Sequence, residues 1–258
     1  MWWKFCAYIF FITFVGCKYV LSPYSAETPT LRINQVNLEQ VQARANEGPD
    51  FSVAFIADTH NYYDELDKLI STINARGGYR FVIVAGDITN LGLLAEYDES
   101  RQLFNKLNAP YLIAPGNHDL ISNGDKIFHK MFGSENFSFE HQGVLFTLMN
   151  NNNWESGGEV PDFTWLTSVL SNSTAATKLI IAHVAPADTE RFTDGQISRL
   201  TEIVSNNNVG YFINGHNHNP SMGTFGTAIQ ITIGAPSKGE YLEMTFQSGS
   251  VTYQKIRF

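Results

Sequence analysis

The chain has 258 residues, enough for one sizeable core but short of two full domains. Its 25 acidic against 17 basic side chains leave a net charge of −8 with no run of Lys or Arg, which excludes the cationic surface that nucleic-acid binding requires. Only Cys6 and Cys17 occur, both at the N-terminal end, so a disulfide framework or a thiolate metal site is excluded from the rest of the chain.

Residues 1–17 carry Lys4, an apolar run from Phe5 to Val15, and Gly16-Cys17. That run is shorter than the roughly 20 residues of a spanning helix and has the length of a signal-peptide core. Phe14-Val15-Gly16-Cys17 resembles the lipobox of bacterial lipoproteins, with Phe where Leu is usual. A plain secretory signal is the alternative. Either reading exports the protein; the first also makes Cys17 a lipid anchor in a bacterial envelope. Residues 18–50, polar and punctuated by Pro23, Pro29 and Pro49, read as a spacer and N-terminal extension with a short helix over Asn37–Asn46. The globular domain is expected over residues 51–258.

From Phe51 onward, apolar runs end abruptly in polar clusters. Val53–Ala57 leads to Asp58-Thr-His60, and Tyr63–Asn74 follows as a helix stopped by Gly77-Gly78. Val82–Ala85 runs into Gly86-Asp87, and a second helix is predicted over Glu96–Leu107. Tyr111–Ala114 opens into Pro115-Gly-Asn-His-Asp119. This β-α-β-α-β order implies a parallel sheet with right-handed crossovers.

Beyond it, the residues around Phe137 and Val144 read as paired strands about the turn His141-Gln-Gly143, followed by the polar run Asn150–Gly158. That run is read as a loop on the ligand edge that places Trp154 beside substrate. Helices are expected over Pro161–Leu170 and Asp194–Val204. The strands after them, Leu179–Ala182 and Val209–Ile213, end in His183 and in Asn214-Gly-His-Asn-His218. Three short strands close the chain: Ala228–Ile233, Tyr241–Phe246 and Val251–Ile256. Two sheets flanked by helices are the natural packing of these elements.

Parallel strands carry their ligand sites at their carboxyl edge, so the five polar clusters converge. Asp, His and Asn without sulfur suit Mn, Fe, Zn, Ni or Co. Seven such ligands exceed what one ion with an open position needs, and fit two ions sharing a bridging carboxylate. Two metals roughly 3.5–4 Å apart clamp the attacking and leaving oxygens of a phosphate ester and acidify a bridging water, giving hydroxide for in-line attack on phosphorus. His216 and His218, alternating at a strand end, are expected to point one way. His129 and His141 are assigned to structure or surface.

Asp58-x-His60, Gly86-Asp87, Gly116-Asn-His-Asp119, His183 and Gly215-His-Asn-His218, in this order, resemble the calcineurin-like metallophosphoesterases over Ser52–Pro220. The resemblance implies an α/β fold, a four-layer α/β/β/α sandwich of two mixed sheets flanked by helices. It implies that Asp58, His60 and His218 hold one divalent or trivalent ion, that Asn117, His183 and His216 hold a second, and that Asp87 bridges them. His118 and Asn117 are the implied catalytic residues, His118 donating to the phosphate or leaving-group oxygen, with Asp119 supporting the turn. The protein-phosphatase branch has Asp and Arg where this chain has Asn90 and Leu91, so Asn90 would meet His118 with an amide oxygen, and the motifs look more like those of small bacterial phosphodiesterases and phosphatases. The implied activity is hydrolysis of a phosphomonoester or phosphodiester. A family nuclease, which the charge disfavours, and a non-catalytic metal-binding lipoprotein scaffold are the alternatives.

Overall fold

A computed structural model describes residues 22–247 and 249–258. The expected signal segment and Cys17 lie outside the described residues. In chain order the elements are α1 (Ile33–Ala43), β1 (Phe51–Ile56), α2 (Tyr63–Arg76), β2 (Tyr79–Ala85), α3 (Leu94–Phe104), β3 (Tyr111–Ala114), α4 (Asn117–Leu120) and α5 (Gly124–Met131). Then come β4 (Phe137–His141), β5 (Val144–Leu148), α6 (Phe163–Asn172), β6 (Thr177–Ile181), α7 (Asp194–Asn206), β7 (Tyr211–Asn214), β8 (Ser221–Phe225), β9 (Ala228–Thr232), β10 (Glu240–Gln247) and β11 (Ser250–Arg257).

Two mixed sheets form, ordered β11-β10-β1-β2-β3 and β4-β5-β6-β7-β9-β8. Strands β1, β2 and β3 run parallel, as do β5, β6, β7 and β9. Successive residues of each inner strand face opposite sides. Val53, Phe55, Phe81, Ile83, Phe146, Leu148, Leu179 and Ile181 therefore fill the space between the sheets. Their neighbours Ala54, Ile56, Val82 and Val84 pack under α2, α3 and α5. Leu145, Ile180 and Phe212 pack under α6 and α7. The result is the expected four-layer α/β/β/α sandwich, and strands buried on both faces explain why the sequence shows continuous apolar runs instead of alternation.

Local chemistry sets several boundaries away from their expected positions. The Asp162 carboxylate accepts the Thr164 and Trp165 N–H groups at 3.1 and 2.9 Å, so α6 starts after it and not at Pro161. Glu96 reaches back to the N–H groups of Leu91 and Leu93, which draws the start of α3 to Leu94. The β4–β5 turn is Gln142-Gly143, both at positive φ, and His141 belongs to the strand. Strand β8 has no signature in the sequence, because four of its five residues are exposed and carry no apolar alternation.

The N-terminal extension differs most from expectation. Its helix begins at Ile33 and docks on the sheet. The Asn34 side chain donates to the Ile113 carbonyl and accepts the Ile113 N–H, both at 2.8 Å, and Asn37 donates to the Tyr111 carbonyl. These amides take the ladder bonds that edge strand β3 would otherwise leave open. Further on, buried Arg80 donates to the carbonyls of Arg44, Glu47, Gly48 and Asp50 and so pins the connector to the sandwich. Residues 33–50 thus pack against the sandwich. Among the described residues no helix is long and apolar enough to cross a membrane.

Candidate metal centre

The carboxyl ends of β1, β2 and β3 in one sheet and of β6 and β7 in the other lie together. From them come Asp58 and His60, Asp87, Asn117 and His118, His183, and His216 and His218. Three contacts stitch the sheets at this edge. The His216 N–H donates to Asp58 Oδ1 at 2.9 Å, His183 Nδ1 meets the Ala85 carbonyl at 2.8 Å, and His216 Nδ1 lies 2.9 Å from Asn117 Oδ1.

Asp58, His60, Asp87, His216 and His218 all have positive φ, between 39° and 70°. Such conformations cost non-glycine residues on the order of 1 kcal/mol or more each and persist only where the surroundings impose them. They show that His216 and His218 do not continue the extended strand β7, which ends at Asn214. Both sit in a turn, His216 facing Asn117 and His183, His218 facing His60. Close approach also explains two motif glycines. A Cβ on Gly86 would lie 2.6 Å from the Gly116 nitrogen, and one on Gly116 would overlap the Asp87 backbone and carboxylate.

The donor atoms converge in two groups. Ligand atoms of Asp58, His60, Asp87 and His218 lie within 4.8 Å of one another, and so do those of Asp87, His183 and His216. Asp87 belongs to both. Each group is built from lone pairs. His60 Nδ1 meets the Thr89 carbonyl at 3.0 Å, as His183 Nδ1 meets that of Ala85, so both rings carry hydrogen on Nδ1 and turn Nε2 inward. His60 Nε2 faces His218 Nε2 at 3.1 Å and Asp87 Oδ2 at 3.4 Å. His183 Nε2 lies 3.1 Å from Asp87 Oδ2 but makes no aligned hydrogen bond, and buried Asp58 Oδ2 has none either. Buried imidazole nitrogens and carboxylate oxygens crowded together, Asp58 Oδ2 with no hydrogen-bond partner, are what a cation relieves, and this donor set fits divalent or trivalent ions.

Proton affinities report the same field. Burial pushes the Asp58 carboxyl up to about 7, with His183 opposing. Burial would also raise Asp87, but His183 and His60 outweigh it and hold that carboxyl at about 2. Burial opposes charge on His183, yet Asp87 beside it carries the ring up to about 9, so a cation held at its Nε2 would displace a proton from it. Burial depresses His216 to about 4 and lowers His60 and His218 as well, leaving these three rings neutral with lone pairs available at neutral pH.

His118 stands slightly apart. Its N–H donates to Asp87 Oδ1 at 2.9 Å, and its ring lies edge-on to that of His60 with centroids 4.9 Å apart. His118 Nδ1 meets the backbone carbonyl of Asn90 at 2.7 Å, not the side-chain amide expected from sequence. A peptide oxygen does this work whatever side chain stands at position 90. Asp119 supports the turn as expected, accepting from the N–H groups of Gly116, Asp87, Ile88 and Thr89.

The sequence reading missed one positioning residue. Asn151 Oδ1 accepts the N–H groups of His183 and Val184 at 3.1 and 3.0 Å, and its amide donates to the Val184 carbonyl. Asn152 donates to the Pro115 carbonyl at 3.0 Å. An Asn run just past a strand end is the available signal for it. His129 pairs with Glu135 at the surface, and His141 is buried against Phe51 and Arg80, both outside the site.

Comparison with known proteins places this geometry. The chain is 35% identical over 81 residues to the glycerophosphodiester phosphodiesterase GpdQ of Enterobacter lignolyticus, over 26% of this chain and 29% of that protein, so it spans under a third of that relative's length. Among solved structures it superposes on GAP50, the anchor in the inner membrane complex of Plasmodium, with a TM-score of 0.64 at 12% identity, covering 81% of this chain and 84% of that one. A dimetal phosphatase from Danio rerio gives a TM-score of 0.60 at 15% identity, covering 81% of this chain and 99% of that one. At these identities the two structures speak for the fold alone. The calcineurin-like phosphoesterase profile matches residues 51–220, from the first strand through the last histidine pair, and the chain belongs to that family.

Proposed function

We propose that the protein is a dinuclear-metal phosphoester hydrolase acting on a phosphomonoester or phosphodiester. The observation that carries this reading is the pair of ligand groups sharing Asp87. In it, Asp58, His60 and His218 hold one ion, Asn117, His183 and His216 the other, and Asp87 both. Bound there, two cations supply Lewis acidity to phosphoryl oxygens and an acidified water near neutral pH.

The protein's own residues do the rest. The carbonyls of Thr89 and Ala85 fix the ring orientations of His60 and His183 before any ligand arrives. With Nδ1–H committed to the Asn90 carbonyl, His118 has Nε2 free to face the phosphoryl group, and it donates there when the ring is protonated. The Asn117 amide shares its oxygen with the site and leaves its N–H₂ group for a phosphoryl oxygen. A net charge of −8 speaks for a small ester over nucleic acid. Export, with acylation at Cys17, belongs to the same reading and rests on the Phe5–Val15 run before Gly16-Cys17.

The test is hydrolysis of a chromogenic monoester and diester by chelator-treated protein as Mn, Zn, Fe or Ni is added back, with metal content measured in parallel. Turnover restored by metal and abolished in Asp87→Ala supports the reading. His118→Ala should lose at least a hundredfold in kcat while retaining its metal. Two ions bound per chain with no turnover of either ester would instead identify a metal-binding scaffold.

A further inference from the structure

Outside the N-terminal extension, the large hydrophobic side chains exposed among the described residues are Leu91, Trp154 and Met222, and Trp154 is 60% exposed. Trp154 is not a loose surface ring. The Arg191 guanidinium lies 4.4 Å from its ring centroid. That guanidinium also donates to Glu155 Oε1 at 2.8 Å, and the two charged side chains are only 14% and 13% exposed. The arginine's charge is therefore matched, and one face of the indole is covered.

The loop beneath the ring is equally fixed. Asn151 clasps the backbone at His183, Asn152 holds Pro115 two residues before Asn117, and the Asn153 amide donates to the Arg191 carbonyl at 3.1 Å. Trp154 thus stands three residues from the clasp on one metal-centre histidine.

A rigid indole with one face backed by a guanidinium and the other open is a stacking platform: it favours flat π systems, which bury area and stack, over flexible polyols, which do neither. We propose that Trp154, backed by Arg191, stacks against the alcohol portion of the substrate and selects phosphoesters of nucleosides or other planar aromatic alcohols over aliphatic ones. The inference rests on the phosphoesterase reading of the neighbouring site, and it makes the substrate a small nucleotide-like or aryl ester.

The test compares full-length metal-loaded protein with Trp154→Ala and Trp154→Phe. Calorimetric binding of a nucleoside monophosphate, phenyl phosphate and glycerol phosphate is measured, along with kcat/KM for the same esters and for a dinucleoside phosphate against glycerophosphoethanolamine. The expected result is tighter binding of the aromatic esters by wild type, with the aromatic-to-aliphatic ratio falling about tenfold in Trp154→Ala and largely kept in Trp154→Phe. A nucleoside preference exceeding that for phenyl identifies a base as the stacked group; equal preference identifies any aryl ring. Equal binding of aromatic and aliphatic esters by wild type, or an unchanged ratio in Trp154→Ala, overturns the proposal. If no ester is turned over but the binding ratio behaves as stated, the platform stands and the hydrolase reading fails. Turnover without any aromatic preference has the opposite meaning.

Discussion

Replacing Asp119 by Asn changes one atom at the point where three motif loops meet. Asp119 is fully buried. Its Oδ2 accepts the N–H groups of Gly116 and Asp87 at 2.8 and 2.9 Å. Its Oδ1 accepts those of Ile88 and Thr89 at 3.0 and 2.9 Å and the Thr89 hydroxyl at 2.8 Å. Every partner is a donor, so an amide nitrogen at either position faces at least two N–H groups that have lost their acceptor. At about 1–3 kcal/mol for each buried donor left without an acceptor, Asp119→Asn should lose about 2–6 kcal/mol. At 2–4 °C per kcal/mol for a chain of this size, Tm should fall by about 10 °C. Chemical denaturation and calorimetry on the same preparation measure both. Metal retention should fall in parallel, because the Asp87 backbone is placed by the same carboxylate. A loss under about 1 kcal/mol with metal content intact would refute the assignment of Asp119 as the hub of these loops.

Asn34→Ala should cost about 2 kcal/mol in denaturation, since two bonds to Ile113 are lost, and should promote self-association through the uncovered edge of β3, read by light scattering. Gly116→Ala should abolish metal retention even if the chain folds, because a Cβ there overlaps Asp87; full metal content would count against the packing described. Glu243 sets an acid limb. Burial opposes its charge, but Arg76, Tyr79 and Gln254 outweigh it and hold the carboxyl at about 2, below its usual 4.5. A depressed carboxyl stabilises the fold above the unfolded value and loses that contribution as pH falls from 4.5 towards 2. With Arg76 partly exposed, about 1–2 kcal/mol is expected, and Glu243→Gln should flatten the stability curve in that interval. Parallel curves for the two proteins would rule this out.

Much of the candidate site could be read from the chain itself, because each motif follows a short apolar run and parallel strands bring their carboxyl ends to one edge. Asp58, His60, Asp87, Asn117, His183, His216 and His218 were all assigned to that edge, and all are there. The layer order followed for the same reason: runs too apolar for a half-exposed strand must be covered on both faces. The helix starts were less legible because side-chain caps at Asp162 and Glu96 compete over one or two residues.

Other features depend on contacts between residues far apart in the chain, and local pattern has no access to them. Asn34 reads as an ordinary helix residue until β3, 79 positions on, presents an open edge to it. Asn151 reads as loop until His183 arrives beside it. His216 and His218 reach different partners at the shared centre because packed neighbours hold both at positive φ, a conformation their own side chains disfavour. The oxygen on His118 comes from the peptide of Asn90, which carries no residue signature. The sequence by itself determined which chemical groups reach the edge of the sheets. Only the tertiary structure decided which way each points, since that orientation is set by long-range hydrogen bonds strong enough to override local backbone preference.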